Sequence, residues 1–431
     1  MKKGVMLAVF RFSLLFAVFY LLIVQAGFSQ DCKTQAANKP SSLVRSQDSY
    51  FDFVFYTNKP AKWNVSKMKS QLSIAENWIK NKLTGFTGAK LDYNNTYWLD
   101  FVVSKNSGDI NSNGDFFHAA TGIKGYYEGK MRFFAYYCYD NSNIIYTEGE
   151  SGSFVNVIFN NVFAAGLTTE RGVHTINGKP AFKTIQKKRS EGRIDFYEQR
   201  TQDNATAKMY TYNDYILIRN SDKPVFISIT RKEYLEQMLK DVDTFGAKDA
   251  KMLTEMYNQN VKRFEEEMKA YKLDKNYTPE KEAKRRKWFE EDQEKLKLTI
   301  SKINPDTEAS KKVILEYLQK PTEWLSRSFK NFYPFSTYTA KGVRQFLENL
   351  DRSFLNGEEE TQYEIVSINP AYFTNKLGAD VPQLIMVHLQ NSNYAHMVKV
   401  AGLIKQPGAL TPLEAILNPG KSTAPSAPLA N

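Results

Sequence analysis

The sequence is poor in the residues that build disulfide frameworks and metal centres. Among its 431 residues are two cysteines and four histidines. Two cysteines exclude a small disulfide-rich fold and a zinc site made of four thiolates. The histidines show no metal-ligand spacing, and the sequence contains no glycine pattern of a nucleotide-binding loop. Glycine (22 residues) and proline (15 residues) are not enriched, which excludes collagen-like and low-complexity chains.

What the sequence does contain is ordinary globular composition with an excess of positive charge. Hydrophobic residues make up 42% of the chain, charged residues 24% and aromatic residues 14%, and the formal net charge is +11. A chain of this length buries a sizeable core and is long enough for two or three domains. The composition therefore predicts a folded protein of more than one domain.

The first 29 residues have the layout of a secretory signal peptide. A short basic segment precedes an apolar run, and small residues stand just before Gln30. Arg11 interrupts the run, and the uninterrupted part is shorter than a bilayer span. We therefore predict cleavage before Gln30 and no transmembrane span afterwards. An uncleaved anchor and lipid attachment at Cys32 are the alternatives. Cleavage removes three basic residues and leaves 55 basic against 47 acidic residues, a net charge of +8.

Export places the two cysteines, Cys32 and Cys138, in an oxidising compartment where they can pair. The disulfide would close a loop of about 107 residues and stabilise the fold by about 4–5 kcal/mol in the chain-entropy treatment. The alternative is that Cys138 is a small buried residue with a free thiol. The sequence leaves both readings open.

Hydrophobic periodicity predicts an α+β protein. We expect an N-terminal, mainly antiparallel sheet with one packed helix, then a mainly helical region with a charged helical hairpin and a few returning strands. The predicted segments are a signal peptide (1–29), a flexible leader (30–49), an α+β domain (50–229), a helical region (230–355) whose charged hairpin spans about 250–300, a small strand and helix segment (356–418) and a disordered tail (419–431).

Three helix starts carry local capping signals. Asn64 precedes a stretch with apolar residues at spacings of three and four. Thr230 and Glu233 have the spacing of a capping box. Thr278 followed by Pro279 is typical of an N-cap and the first helical residue. These signals predict where the helices begin independently of any tertiary contact.

The C-terminal half of the sequence predicts a helical region followed by a few strands. Gly246 separates two helical stripes, so we expect an interruption there. Residues 262–297 are dense in charges of both signs and predict a protruding antiparallel helix pair, which has coiled-coil character. Strand-like segments return near 364–390, and the run from Leu384 to Leu389 is typical of a central strand. These strands either complete the first sheet or form a small sheet of their own.

A calcium site is the one cofactor that a local motif suggests. Asp109, Asn111, Asn113 and Asp115 place oxygen-bearing side chains at alternate positions, and this stretch resembles the first half of an EF-hand calcium loop. The twelfth position is Ala120 rather than the bidentate glutamate. The alternative is a polar turn whose side chains satisfy their own backbone.

Four tyrosines are candidates for exposed, glycan-binding rings. They are Tyr126, Tyr127, Tyr136 and Tyr139. Aromatic faces pack against the C–H faces of sugar rings, so a row of exposed tyrosines fits a carbohydrate surface. The alternative is that these rings fill the core of a sheet and form cross-strand pairs.

A basic run lies on a predicted hairpin. Lys187, Lys188 and Arg189 could attract acidic glycans or phosphorylated headgroups. Nearby acids, Glu191 and Asp195, dilute the patch, so a solvated strand face is the alternative interpretation. Export disfavours nucleic acid as a partner.

These observations lead to two functional hypotheses for an exported chain of the periplasm, the outer membrane surface or the medium. The first is a non-catalytic binding or assembly module of the cell envelope, with an envelope protein or a glycan as its partner. The second is an envelope hydrolase that acts on glycans through carboxylates. No catalytic motif distinguishes the two, because carboxylate pairs carry no local sequence pattern.

Overall fold

The computed structural model describes a large part of the chain. The described residues are 32–52, 64–99, 125–139, 144–149, 152–163, 166–202, 210–330, 363–374, 377–378, 380–392 and 395–418. The predicted signal peptide, the predicted calcium loop and the predicted tail lie outside the described residues.

The chain forms two compact units. The first comprises Met1–Thr168, Ile185–Val225 and Asn369–Asn431, and the second comprises Thr169–Thr184 and Phe226–Ile368. The predicted division near residue 229 is close to one crossing point between the units. The chain passes between the units at three further places. Two of them flank the hairpin at 169–184, which belongs to the second unit, and the third precedes the C-terminal segment, which belongs to the first.

Both units combine helices with sheet, and the α+β class is confirmed. The strands are β1 (Leu43–Arg45), β2 (Ser49–Asp52), β3 (Ala89–Leu99), β4 (Tyr126–Cys138), β5 (Ile145–Thr147), β6 (Ser153–Phe159), β7 (Thr168–Ile176), β8 (Lys179–Ile185), β9 (Lys187–Glu191), β10 (Ile194–Gln202), β11 (Tyr210–Arg219), β12 (Phe226–Ser228), β13 (Tyr363–Ile368) and β14 (Leu384–Ser392). The helices are α1 (Val65–Lys82), α2 (Arg231–Tyr271), α3 (Pro279–Leu318), α4 (Thr322–Leu325), α5 (Ala395–Ile404) and α6 (Thr411–Leu417). Among the described residues, no helix combines the length and apolar character needed to cross a bilayer.

The first unit is built on a ten-stranded sheet with the order β1-β3-β4-β6-β14-β11-β10-β9, and β2 and β5 pair with β3 and β4. β1 and β2 pair with β3 in parallel, and the other ladders of this sheet are antiparallel. The sheet therefore matches the mainly antiparallel sheet that the sequence predicts.

The returning segment supplies the middle of this sheet. β14 pairs with β6 on one side and with β11 on the other. Its residues from Leu384 to Leu389 are buried, as a strand covered on both faces requires. β13 belongs instead to the second sheet. Of the two alternatives for the returning strands, β14 completes the first sheet and β13 does not.

The predicted early helix packs against the large sheet. Asn64 caps α1, and its side chain accepts a hydrogen bond from the backbone N–H of Lys67 at 3.1 Å. Leu72 and Ile79, on the stripe with spacings of three and four, are fully buried. The hydroxyl of Tyr93 on β3 donates to the carbonyl of Leu72 at 3.4 Å. The amphipathic pattern of α1 thus corresponds to one sheet-facing stripe.

The second unit has a four-stranded sheet with the order β12-β13-β8-β7 and a helical core. The predicted capping box at Thr230 and Glu233 is confirmed at the start of α2. One turn later, Tyr234 stacks on Phe329 with ring centroids 3.8 Å apart. The buried cluster includes residues from α2, α3, α4 and the sheet. The cap fixes the start of α2 where its first turn enters this core.

The helix pair is longer than predicted, because α2 continues through Gly246 without interruption. A Cβ atom at Gly246 would lie 2.6 Å from Oγ1 of Thr307 in α3, so the glycine allows close helix approach rather than ending the helix. Phe264 of α2 stacks on Phe289 of α3 at 3.9 Å. Contacts between early α2 and late α3, and between late α2 and early α3, make the pair antiparallel.

We predict that Gly246→Ala lowers the free energy of unfolding of the second unit by about 1 kcal/mol, because the new methyl group overpacks the contact with Thr307. Thr307→Ala in the same chain should restore stability, because it removes the clashing hydroxyl. The measurement is urea unfolding followed by circular dichroism at 222 nm.

Gly402→Ala in α5 is the matched control, since nothing lies within 4 Å of the added Cβ there. Alanine should stabilise that helix by about 0.5–1 kcal/mol. An equal gain in stability from Gly246→Ala would contradict the close-approach role of Gly246.

Candidate functional site

The end of β4 is tied to the start of the described chain by a disulfide. Cys32 and Cys138 are bonded, with an S–S distance of 2.05 Å and a Cα–Cα distance of 6.2 Å. Cys32 lies in a short helix whose described residues are 32–38, and Cys138 is the last residue of β4. The sequence leaves open whether these cysteines form a disulfide or Cys138 has a free thiol, and in the structure they form the disulfide. The cross-link fixes the β4–β5 hairpin against this short helix.

Three tyrosines cluster at the same hairpin, and we call them the tyrosine surface. Tyr137 and Tyr139 are alternate residues, and Tyr146 of β5 is the cross-strand partner of Tyr137, so the three rings share one side. The ring of Tyr139 lies 5.4 Å from that of Tyr137 and 5.2 Å from that of Tyr146. Tyr139 is 60% exposed and Tyr146 is 36% exposed. The cluster is an aromatic patch that faces water.

Only part of the predicted tyrosine set is accessible. Tyr127 is fully buried, stacks on Phe159 at 4.6 Å and donates its hydroxyl hydrogen to Gln71. Tyr126 is 7% exposed and stacks on Trp98 at 5.7 Å. The expectation of exposed rings is wrong for these two, because at the start of β4 each ring is packed against another aromatic ring. Tyr136 is half-buried, as its position near the strand end allows.

The sequence reasoning missed Tyr137 and Tyr146. The alternation of β4 puts Tyr137 and Tyr139 on one face, so choosing Tyr139 should have selected Tyr137 as well. Tyr146 follows the strand at a hairpin distance, but its register with Tyr137 is visible only in the structure. The spacing of two residues between Tyr137 and Tyr139 was therefore the sequence signal that could have identified Tyr137.

A cavity of about 600 Å³ adjoins the tyrosine surface. Cys138, Tyr136 and Tyr137 form part of its wall, together with Phe86 and Gly88. This volume is in the range of pockets that hold small ligands. Tyr137 belongs to both features, so the cavity and the tyrosine surface form one continuous candidate site within the first unit.

The charges around this cavity are mostly positive. Lys33 and Lys399 line it, and the ammonium of Lys39 lies 4.3 Å from the ring centroid of Tyr136. Glu148 is the acidic lining residue, and burial raises the pKa of its carboxyl, while the N–H of Ala135 donates to it at 3.2 Å. Glycoside hydrolysis usually requires a pair of carboxyl groups. Among the described residues that line the cavity, Glu148 is the single carboxyl.

The predicted basic run lies on β9, where Lys187, Lys188 and Arg189 are exposed. Nζ of Lys187 lies 3.6 Å from the carboxylate of Asp195. Arg189 forms an ion pair with Glu191, and its guanidinium lies 3.9 Å from the ring centroid of Phe196. The acids that the sequence places nearby therefore neutralise part of this patch. The run is not among the residues that line the cavity.

The calcium prediction is not addressed by the described residues, because Asp109, Asn111, Asn113 and Asp115 lie outside them. Within the described ranges, no group of three or more histidine, cysteine, aspartate and glutamate side chains has the geometry of a metal site.

A polar network lies on the face of the large sheet opposite Tyr127. The side-chain N–H of Asn156 on β6 donates to the carboxyl of Glu128 at 2.7 Å. Burial raises the pKa of Glu128 and lowers the pKa of Lys130, whose ammonium lies 3.8 Å from the ring centroid of Phe154. Shifted pKa values occur in active sites and in structural networks alike. Because Asn156 satisfies Glu128, we assign this group to the sheet interior.

His388 continues the network on the central strand. It stacks on Tyr215 with centroids 4.5 Å apart and lies 5.0 Å from the ring of Phe154. Nε2 is 3.0 Å from Oδ1 of Asn213. Burial, with a smaller contribution from the charge of Lys130, lowers the pKa of His388 to about 3. His388 is therefore a buried core histidine whose ring is packed and whose Nε2 is hydrogen-bonded.

We predict that His388 makes the first unit acid-sensitive. The imidazole is neutral in the fold and titrates near pH 6.5 in the unfolded chain, so stability is present above pH 6.5 and falls as the pH drops toward 3. Between these two pH values, one such group changes the free energy of unfolding by about 1.4 kcal/mol per pH unit. Urea unfolding of wild type and His388→Gln between pH 7 and pH 4 measures it. Parallel pH dependence in the two chains would refute this role.

Comparisons with known proteins add no assignment to this site. No protein-family model, no curated protein and no solved structure matches the chain. The function of the site therefore has to be argued from its own geometry. The features that carry the argument are the tyrosine surface, the adjoining cavity and the positive charges around them.

Proposed function

We propose that this protein is an exported, non-catalytic binding module of the cell envelope. Its candidate ligand is a glycan that carries negative charge, bound at the tyrosine surface and the adjoining cavity. The single observation that carries the proposal is a cluster of three tyrosine rings, two of them exposed, beside a cavity of about 600 Å³.

The aromatic part of the site supports a saccharide. Tyr139 and Tyr146 present ring surface to water, although rings of this size are usually buried in a sheet core. The C–H faces of a sugar ring can pack on such rings while its hydroxyls stay hydrated. A hydrogen bond with Tyr139 raises the pKa of the Tyr137 hydroxyl. Tyrosine hydroxyls can also donate and accept hydrogen bonds with the hydroxyls of a sugar.

The charged part of the site supports an acidic ligand. Lys33 and Lys399 line the cavity with Glu148 as their acidic counterpart, so the lining has more positive than negative side chains among the described residues. A carboxylate or phosphate on a glycan would therefore meet net positive potential there. This preference complements the packing of sugar rings on tyrosine.

We predict that Tyr139→Ala lowers the retention of envelope polysaccharide by immobilised protein by about tenfold, because a central ring of the exposed cluster is removed. The chain without residues 1–29 is immobilised and incubated with protease-treated envelope extract. Bound carbohydrate is then quantified as neutral sugar and uronic acid.

Tyr257→Ala is the matched control, since it makes the same change on a half-buried tyrosine of α2 in the second unit. It should leave retention unchanged. Equal retention by wild type and Tyr139→Ala would contradict the proposal, and retention lost after protease treatment would indicate a protein ligand instead.

We also predict that the chain recovered from an exporting host begins at Gln30 and has no free thiol. The signal layout supports cleavage at that position, and a disulfide persists in an oxidising compartment. Intact mass spectrometry tests both points at once. The mass should correspond to residues 30–431 less two hydrogens, and alkylation should add nothing until a reductant is present.

The same spectrum separates the alternatives for the N-terminus. A mass that includes residues 1–29 would contradict cleavage and favour an uncleaved anchor. Added acyl chains together with a free Cys138 would favour lipid attachment at Cys32.

A further inference from the structure

The end of the helix pair, residues 269–288, differs in charge from the rest of the pair, and we call it the hairpin tip. It contains eight basic and three acidic residues, a net charge of +5. The remaining residues of the two helices, 231–268 and 289–318, contain 12 basic and 16 acidic residues, a net charge of −4. Positive charge is therefore concentrated at one end of this element.

The hairpin tip also exposes large apolar side chains. Leu273, in the turn between α2 and α3, is 89% exposed, and Trp288 of α3 is 64% exposed. Isolated exposed apolar residues are common on protein surfaces. Here they share one short segment with Lys269, Lys275 and Lys287, which are exposed too. Exposed leucine and tryptophan among lysines and arginines are the composition of interfacial membrane segments.

The hairpin tip lies far from the core of its own unit. Val242 is the last α2 residue of the buried cluster, and Tyr271 ends the helix 29 residues later. At 1.5 Å per residue this is a length of about 43 Å. A site at this distance can contact an extended surface without rearrangement of the core.

The tip is held in a defined shape by its own contacts. The hydroxyl of Tyr277 donates to Glu282 at 2.6 Å, and Nη1 of Arg286 lies 3.2 Å from Glu265 of α2. The guanidinium of Arg285 lies 4.0 Å from the ring centroid of Tyr271. These contacts use some of the charges and connect the two helices, so the lysines are presented on a folded support.

We propose that the hairpin tip docks on the surface of an anionic lipid bilayer. The basic side chains contact lipid phosphates, and Leu273 and Trp288 enter the interface between headgroups and acyl chains. The negative remainder of the pair is repelled by the same surface, which favours contact by the tip alone. Charge complementarity and exposed apolar residues at the same place favour a bilayer over a protein partner.

The test is co-sedimentation of the chain without residues 1–29 with vesicles of phosphatidylglycerol and phosphatidylcholine, and with vesicles of phosphatidylcholine alone. We expect binding to the anionic vesicles only, weakened by added salt. Tryptophan emission should shift to shorter wavelength on binding, and Trp288→Phe should abolish most of this shift. Excess glycerol phosphate should not compete, since the site requires a surface and not a free phosphate.

Matched variants localise the effect. Lys275→Glu with Lys287→Glu should weaken the partition coefficient by at least about tenfold. Lys302→Glu with Lys312→Glu makes the same charge change on α3 nearer the core and should stay within about twofold. Leu273→Ser should weaken binding more than Leu298→Ser, because Leu298 is an exposed leucine of α3 outside the tip.

Three outcomes would overturn the proposal. The first is no binding of wild type to anionic vesicles. The second is an equal loss in the two pairs of charge variants, which would mean diffuse attraction by the whole chain. The third is binding to native envelope vesicles but not to protein-free vesicles, which would identify a protein partner. Unchanged circular dichroism of each variant excludes misfolding as the cause of lost binding.

Discussion

The fold depends on one strand that arrives late in the chain. β14 fills the position between β6 and β11, and without it two interior edges of the large sheet would have unpaired N–H and C=O groups. Residues 226–368, the larger part of the second unit, lie between β11 and β14 in the sequence. The sheet of the first unit is therefore complete only after all of the second unit has been synthesised. This constraint explains why no single cut separates the two units.

The surfaces available for binding lie where regular pairing ends. Tyr127 and Phe133 lie on one face of β4, and both are buried. Near the strand end, cover is lost and Tyr137 and Tyr139 become accessible together with the cavity. The hairpin tip follows the same rule, because Leu273 lies in a turn beyond the last contacts between α2 and α3. Exposed aromatic and apolar residues at such ends are candidates for contact with a ligand or a surface.

The helix N-termini were the most predictable part of this protein. The caps at Asn64, Thr230 and Thr278 are formed by residues three positions apart, so their hydrogen bonds do not depend on the rest of the fold. Gly246 shows the limit of this reasoning. Glycine commonly ends a helix, but here the decisive contact is with Thr307, which lies 61 positions further along the chain. A rule based on neighbours in sequence could not include that contact.

The candidate site was predictable only in part, for a related reason. Alternation along a strand tells which residues share a face, but not which face is covered or where cover stops. Tyr139 was therefore identified correctly as exposed, whereas Tyr126 and Tyr127 were not. Tyr146 required the register of the β4–β5 hairpin, and the cavity wall at Phe86 required contacts between segments that are distant in sequence.

By itself, the sequence determined the α+β class, the helix starts and the high density of charge along the helix pair. These properties follow from composition and from hydrogen bonds within a few residues. Only the tertiary structure decided the place of β14, the pairing of Cys32 with Cys138 and the set of exposed tyrosines. Each of these depends on which distant segments pair and which surfaces they cover, and burial is a property of the assembled fold rather than of any one segment.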